Sequence, residues 1–365
     1  MKFRILLLLC IISPFSFVSA QTGKTYQVKS PDGKINITIT SKETINWMVQ
    51  HDGTDIITSS AISMMLDNGE LLGQNVSVKK VVAASADVVI NTPIYKKDKV
   101  RDNYNQLTII FKGDYGVIFR AYNDGVAYRW FTQKKGEITV LNEEANFNFK
   151  DDDKAFLPFV NDYRNKDKFN TSFESHYDVL NLSKIKKDTL AFLPVLVDVG
   201  QALKAVILEA DLQDYPGMYL APGEGNSLHG VFAQVPTEEF VNRLNYAVKT
   251  RANYIAKTAG TRSFPWRVVV ISTEDRQLAD NDMMQLPVFS YKFWPAHHTA
   301  PNHPPAPAIA QLSATSLTAR FLFSGAAPKR KKHGAWAKNH FQYATAHPKS
   351  PVVGQKAGWK KNIYV

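Results

Sequence analysis

Apolar and polar positions alternate with a period of two through much of the chain between Tyr26 and Phe149. Ile35-Asn36-Ile37-Thr38-Ile39-Thr40 shows the pattern most cleanly, and Val88-Val89-Ile90, Leu107-Thr108-Ile109-Ile110-Phe111 and Ile138-Thr139-Val140-Leu141 are short β-rich runs bounded by turn residues. Side chains of a strand point alternately to its two faces, so this period predicts half-buried antiparallel strands. Pro31-Asp32-Gly33, Asp52-Gly53, Asp67-Asn68-Gly69 and Asp124-Gly125 separate the runs with residues that tolerate positive φ. The best hairpin joins Val117–Tyr122 to Val126–Trp130 through Asn123-Asp124-Gly125. Further strands are expected over Leu203–Leu208, His229–Ala233 and Arg267–Ile271, and Thr273 is placed to cap a short helix over Asp275–Leu278. No helical period is sustained between Gln21 and Thr273, so the pattern predicts an all-β fold, a large antiparallel β-sandwich closed by one short helix.

Composition changes the picture at the two ends. Met1–Ala20 places Lys2 and Arg4 before an apolar run, Ile5–Ile12, and ends Val18-Ser19-Ala20, the order of a secretory signal peptide. Export to a periplasm or beyond is therefore expected, with the mature chain starting near Gln21. The one cysteine, Cys10, falls inside this segment, so no disulfide or cysteine metal site is expected after cleavage. Leu9 before it is not the small residue of a lipid-anchor site. No later run approaches the roughly 18 apolar residues that a membrane helix needs. Asn-x-Ser/Thr triplets begin at Asn36, Asn75, Asn170 and Asn181, and matter only in a glycosylating host.

From Phe289 onward there is no Asp or Glu, while eleven Lys and Arg residues there account for the entire net charge of +11. Six of the nine histidines and a cluster of prolines also lie in this tail. Residues 287–365 are thus read as a separate, disordered basic segment: an arm for nucleic acid or an anionic surface, a histidine metal-binder, or the product of a shifted reading frame. The frameshift accounts best for the abrupt change, and no nucleic-acid partner is expected.

Candidate chemistry lies in the middle of the chain. The strand Leu203–Leu208 runs into Glu209, Asp211 and Asp214, and Pro216-Gly217 then turns the chain. Three carboxylates delivered to one rim make a candidate site edge, although such residues are more often solvated turn positions. Arg120 and Arg129 are candidates for pairing with carboxylates or sugar hydroxyls, with exposed strand arginines the commoner case. A polar loop, Asn161–Lys168, leads into Phe173-Glu174-Ser175-His176-Tyr177-Asp178, the composition of a functional loop on a β scaffold.

The Glu209–Leu220 segment, with Thr261–Val270 and Leu278-Ala279-Asp280-Asn281-Asp282, resembles the amino-terminal domain of glycoside hydrolase family 97, and the similarity runs from about Tyr26 to about Leu286. That resemblance implies a supersandwich-like domain over residues 21–286 that precedes a (β/α)8 barrel carrying the hydrolytic carboxyl groups. It also implies an oligosaccharide or α-glycoside partner; His176, Tyr177 and Asp211 are the candidate substrate contacts, with the ring of Tyr177 or Trp266 a candidate stacking platform, although aromatics in a β-sandwich are more often core. Glu174 resembles the family's calcium ligand at the sandwich–barrel junction. Calcium takes roughly six to eight oxygens, so one carboxylate makes only an incomplete site. A chain that departs from the family near Leu286 is expected to be truncated before the barrel and not to hydrolyse glycosides alone. The alternative is a non-catalytic carbohydrate-binding or structural sandwich finished by a basic arm.

Overall fold

The computed structural model describes residues 23–92, 95–160, 167–169, 171, 173, 175–242 and 245–283, with side chains omitted over 241–246. Residues 1–22, where the signal peptide is expected, Glu174 and the basic tail lie outside the described residues.

The chain opens as an antiparallel meander of β1 (Lys24–Lys29), β2 (Ile35–Ser41), β3 (Ile45–His51) and β4 (Thr54–Leu66), with a two-residue β5 (Leu71–Leu72) against the end of β4. A second meander follows: β6 (Val78–Asn91), β7 (Lys99–Phe111), β8 (Tyr115–Tyr122) and β9 (Gly125–Asn148). Then come β10 (Lys154–Leu157), β11 (Asp178–Asn181), a short 3-10 turn at Leu182–Lys184, β12 (Val195–Gly200) and β13 (Leu203–Ala210). The remainder is β14 (Met218–Pro222), β15 (Ser227–Phe232), the separate hairpin of β16 (Pro236–Asn242) and β17 (Asn245–Arg251), β18 (Ala256–Ser263), β19 (Trp266–Ser272) and α1 (Asp275–Ala279).

The 24-residue β9 ties the layers together. Its first half pairs with β8 and β19, and β19 continues through β13 and β12 to β10. Its second half crosses into the other layer and pairs with β4 and β15, which is flanked by β14. Between the layers lies one large core. Trp47 of β3 meets Tyr128 of β9 edge-on with ring centroids 5.1 Å apart, and also meets Phe147 at 6.0 Å. The inward positions of β2 are the isoleucines of the alternating run, Ile35, Ile37 and Ile39, all buried.

The strands expected from the pattern are present, and the antiparallel sandwich is the fold. Several strands are longer than the apolar runs that announce them: Val88–Ile90 is the end of a 14-residue strand in which only Ile90 is buried. At the Asp52-Gly53 turn both residues take positive φ, 46° and 80°, which matches the twist of the joined strands. Gly125 is required for a different reason, since a Cβ there would lie 2.4 Å from the Val269 carbonyl oxygen. The short helix forms as expected, but its cap differs. Glu274 is the N-cap with no side-chain bond, and the Gln277 side chain instead accepts from the Thr273 backbone N–H at 3.2 Å.

β19 is buried at every position, so its two faces touch different layers. Its inward side joins the main core. Its outward side, with Trp266, Val268 and Val270, joins a second apolar cluster containing Tyr104, Tyr122, Ala127 and Ala210, onto which Tyr95 and Leu278 pack. A strand buried on both faces has a continuous apolar run, which is how Val268–Ile271 reads.

Candidate functional site

Strand parity decides where each candidate carboxylate goes. Glu209 lies on the face of β13 that carries Ala205 and Ile207, and stands opposite Arg267 of β19. The buried Arg267 guanidinium is shared by two carboxylates. Its Nε and Nη2 donate to Glu143 at 2.8 and 2.7 Å, and Nη1 donates to Glu209 at 2.9 Å. Glu209 also accepts the Met218 backbone N–H at 3.0 Å. Burial pushes the Glu209 carboxyl up to about 7 against the opposing pull of Arg267. Arg267 itself is held more firmly protonated than usual: burial opposes its charge, and the neighbouring Glu143 carboxylate outweighs that penalty.

Asp211 follows the strand in a left-handed conformation, φ 57°, which breaks the alternation. Its carboxylate lies 3.2 Å from Arg129 Nη1 with both side chains buried. The three carboxylates therefore do not share a rim: Glu209 belongs to an interior triad and Asp211 to a buried pair. Asp214, also at positive φ, offers its backbone carbonyl to Arg262 at 3.3 Å.

The expectation of exposed arginines on the hairpin is overturned. Arg120 and Arg129 are both buried, with their guanidinium carbons 4.7 and 4.8 Å from the Trp266 ring centroid, and Arg120 also stacks on Tyr104 at 4.0 Å. Trp266 is wholly buried and is core, not a stacking platform for a ligand. The fully buried Asp102 faces the same cluster with neither carboxylate oxygen hydrogen-bonded. Burial pushes its carboxyl up to about 6, with Arg120 holding it back.

An open polar surface exists elsewhere, on the outer face of the second layer. Along β9, Glu143, Ala145 and Phe147 point inward, so Asn142, Glu144, Asn146 and Asn148 form a polar row outside. A cleft of about 390 Å³ runs over this row, lined by Ser63, Asn142, Glu144, Asn146 and His229, and adjoins one of about 310 Å³ reaching Asn148 and Glu224. His229 of β15 stands opposite Asn146 in the ladder. Ser63 Oγ and Asn146 Nδ2 donate to the two oxygens of Glu144 at 2.6 and 2.9 Å. Burial lowers the His229 pKa, so its imidazole is neutral at physiological pH.

Of the predicted loop residues, 161–166 and Glu174 lie outside the described residues, while Tyr177, beside His176, is tied to this face through ring contacts. His176 and Tyr177 are exposed. Tyr177 packs edge-on against Phe173 at 5.5 Å, Phe173 meets Phe192 at 6.0 Å, and Phe192 meets Tyr219 of β14 at 5.3 Å. Tyr219 lies on the His229 side of the sheet, because Ala221, two residues on, is the ladder partner of His229. Asp167 anchors the loop through Arg251, whose Nε and Nη2 reach it at 2.9 and 2.6 Å. The polar row escaped the sequence reading, although the alternation Asn142-x-Glu144-x-Asn146-x-Asn148 was its signal.

This surface offers the carboxylates of Glu144 and Glu224, amides and a neutral imidazole to hydroxyl-rich ligands, and Glu144 with its neighbour Glu143 does not make a catalytic pair. Glycoside hydrolysis in most families needs two carboxyl groups facing one another across roughly 5–9.5 Å. Glu143 and Glu144 are adjacent on one strand and point to opposite faces. Nor do the described residues suit calcium: none of them form a group of three or more His, Cys, Asp or Glu able to hold a metal. No helix among them is long and apolar enough to cross a membrane.

Together these features define an all-β sandwich domain that bears a polar surface cleft. The Glycosyl-hydrolase 97 N-terminal family matches residues 28–286, and the chain belongs to it. A retaining alpha-galactosidase from Bacteroides thetaiotaomicron is 38% identical over 293 residues, 78% of this chain but 44% of that protein. The chain thus spans less than half the length of this relative. Among solved structures, a family 97 enzyme from a Pseudoalteromonas strain, in complex with acarbose, aligns over 71% of this chain and 37% of its own with TM-score 0.58 and 21% identity. A β-arabinopyranosidase aligns over 68% and 40% with TM-score 0.58 and 22% identity. At these identities the structural likeness is one of fold.

Proposed function

We propose that this chain acts as the amino-terminal, carbohydrate-associated domain of an exported family 97 glycoside hydrolase of the α-galactosidase or α-glucosidase type. In this reading it contributes to a substrate pocket and to a calcium site without supplying the hydrolytic carboxyl groups. The observation that carries it is the outer face of the β4–β9–β15–β14 layer. There the Glu144, Asn146 and His229 cleft and the aromatic-anchored His176-Tyr177 loop share one surface, within a domain whose family relative is a retaining alpha-galactosidase. His176, Tyr177 and the polar row are the proposed sugar contacts. Asp211 is assigned to holding Arg129, and reaches substrate only indirectly.

Glu174 is proposed to lend one oxygen to calcium, with the remaining ligands supplied from outside this domain. Hydrolysis of aryl α-galactosides and α-glucosides, with and without calcium, tests the reading. The expected result is no turnover by this chain; robust turnover abolished by Glu174→Ala overturns it. A titration with oligosaccharides distinguishes the second reading, a free-standing binding module. Tight binding by this chain alone favours that module over a domain whose pocket needs a partner fold.

A further inference from the structure

The β6 strand shows a symmetry that neither the fold nor the cleft uses. It pairs with β7 on one side and with no other described strand on the other, so a row of backbone N–H and C=O groups is left open over much of its 14 residues. Four of the nine large apolar side chains exposed among the described residues lie on this one strand: Val81 at 37%, Val82 at 37%, Val88 at 49% and Val89 at 63%. An open, apolar, regular edge is a template for another strand.

The sequence of the edge says which strand. Val81-Val82-Ala83-Ala84-Ser85-Ala86-Asp87-Val88-Val89 reads nearly the same in both directions about Ser85, with Ala83 and Asp87 the one mismatch. Two copies paired antiparallel are related by a two-fold axis normal to the sheet, which keeps every side chain on its own face. Only registers that place a residue, or its equivalent parity, on the axis are then allowed. Centring on Ser85 sets Val82 opposite the partner's Val88 and Val81 opposite the partner's Val89, twice each, so both faces gain apolar cross-strand pairs. Centring one residue earlier, on Ala84, sets Val88 and Val89 against lysines, Lys80 and Lys79. Centring one residue later, on Ala86, leaves Val81 against Asn91. In the Ser85 register no charge meets a like charge. Asp87 falls opposite Ala83 and is already held by Arg101, whose Nε and Nη2 donate at 2.6 and 2.7 Å.

We propose that β6 is a homodimerisation strand, and that two copies of this chain join edge to edge about Ser85 to make one continuous sheet. The interface is isologous, as closed two-fold assembly requires. It lies on the second meander, and β6 lines neither part of the cleft, so the interface is independent of the proposed carbohydrate role.

Sedimentation equilibrium of the full chain over a range of concentrations tests this. The wild type is expected at twice its monomer mass. Val82→Lys with Val88→Lys puts like charges across the axis at exposed positions and is expected to return the mass to that of the monomer, with the circular dichroism spectrum unchanged. Val82→Lys with Val88→Glu restores opposite charges in this register alone, and is expected to recover the dimer. In a Cys10→Ser background, Ser85→Cys is expected to form a disulfide-linked dimer on mild oxidation, because facing residues of antiparallel strands stand about 4.5–5.5 Å apart at Cα, within disulfide range. A wild type that stays monomeric overturns the proposal. So does a dimer that survives the paired lysines, or a charge-swapped variant that stays monomeric.

Discussion

Replacing Arg267 with methionine isolates the interaction that joins the two layers. The guanidinium makes three hydrogen bonds to Glu143 and Glu209, at 2.7 to 2.9 Å, inside the protein. Methionine keeps most of the apolar bulk against Phe232, whose ring lies 4.8 Å from the guanidinium carbon, and leaves two carboxylates buried without their cation. Breaking a buried ion pair from one side costs about 3–5 kcal/mol, because the stranded charge keeps its desolvation penalty. With a urea m-value of about 3 kcal/mol/M, the unfolding midpoint should fall by about 1–1.7 M. Fluorescence of the buried Trp47, Trp130 and Trp266 reports the transition.

The pH dependence carries a sign that a simple packing loss lacks. Glu209 titrates near 7 in the folded protein against an ordinary value of 4.5, so between those values the folded state holds a proton that the unfolded state has released. Its contribution to stability is greatest below 4.5 and declines as pH rises towards 7. Arg267 pulls the Glu209 pKa down, so removing the guanidinium raises it further and extends that decline upward. The deficit of Arg267→Met should therefore be small at pH 5 and grow through pH 8. Combining it with Glu143→Leu and Glu209→Leu should recover most of the stability, since an apolar replacement of a buried ionic triad is commonly neutral or better. A loss under about 1 kcal/mol at pH 8, or one that does not change with pH, would refute the assignment of the triad as the source.

Asp102→Asn should stabilise the protein at pH 7 by up to about 3 kcal/mol, since burial lifts this carboxyl to about 6 from 3.8 and each pKa unit is worth ~1.4 kcal/mol. The gain should vanish below about pH 4, where the folded and unfolded states are both protonated, and urea titrations at the two pH values check it. Asp211→Ala removes the carboxylate 3.2 Å from Arg129 and should cost about 3 kcal/mol of stability. Tyr177→Ala exposes no core and should change stability by less than about 0.5 kcal/mol while weakening oligosaccharide retention in affinity electrophoresis. Calcium titration calorimetry should show no tight site in this chain, and saturable sub-micromolar binding would contradict the proposal that most ligands come from elsewhere.

The hairpin about Asn123-Asp124-Gly125 and the doubly buried run Val268–Ile271 were legible in the sequence because turn chemistry and apolar continuity are local signals. The direction of Glu209 was legible in principle, since counting by two from Ala205 and Ile207 places it inward. Apolar residues on both faces of β13 hid which face was the interior. The burial of Arg267 was not legible. Its partner Glu143 is 124 residues away and meets it only because β9 passes from one layer into the other. Arg120 and Arg129 were misread for a related reason: an arginine on a strand looks solvated until a second cluster is known to cover the outer face.

The polar row of β9 and the β6 palindrome share a further lesson about what a propensity reading discards. Both are patterns of position rather than of hydrophobicity. In Asn142–Asn148 the informative residues are the polar ones between Glu143, Ala145 and Phe147, and a search for apolar alternation treats them as filler. In Val81–Val89 the central residues Ala83, Ala84, Ser85 and Ala86 are weak strand formers, so only Val88–Ile90 stood out. The symmetry acquires meaning once β6 is known to be an edge, because in a strand paired on both sides a palindrome has no partner to match. Sequence order supplies the pattern, topology decides whether it faces solvent, and only the two together turn a run of small residues into an interface.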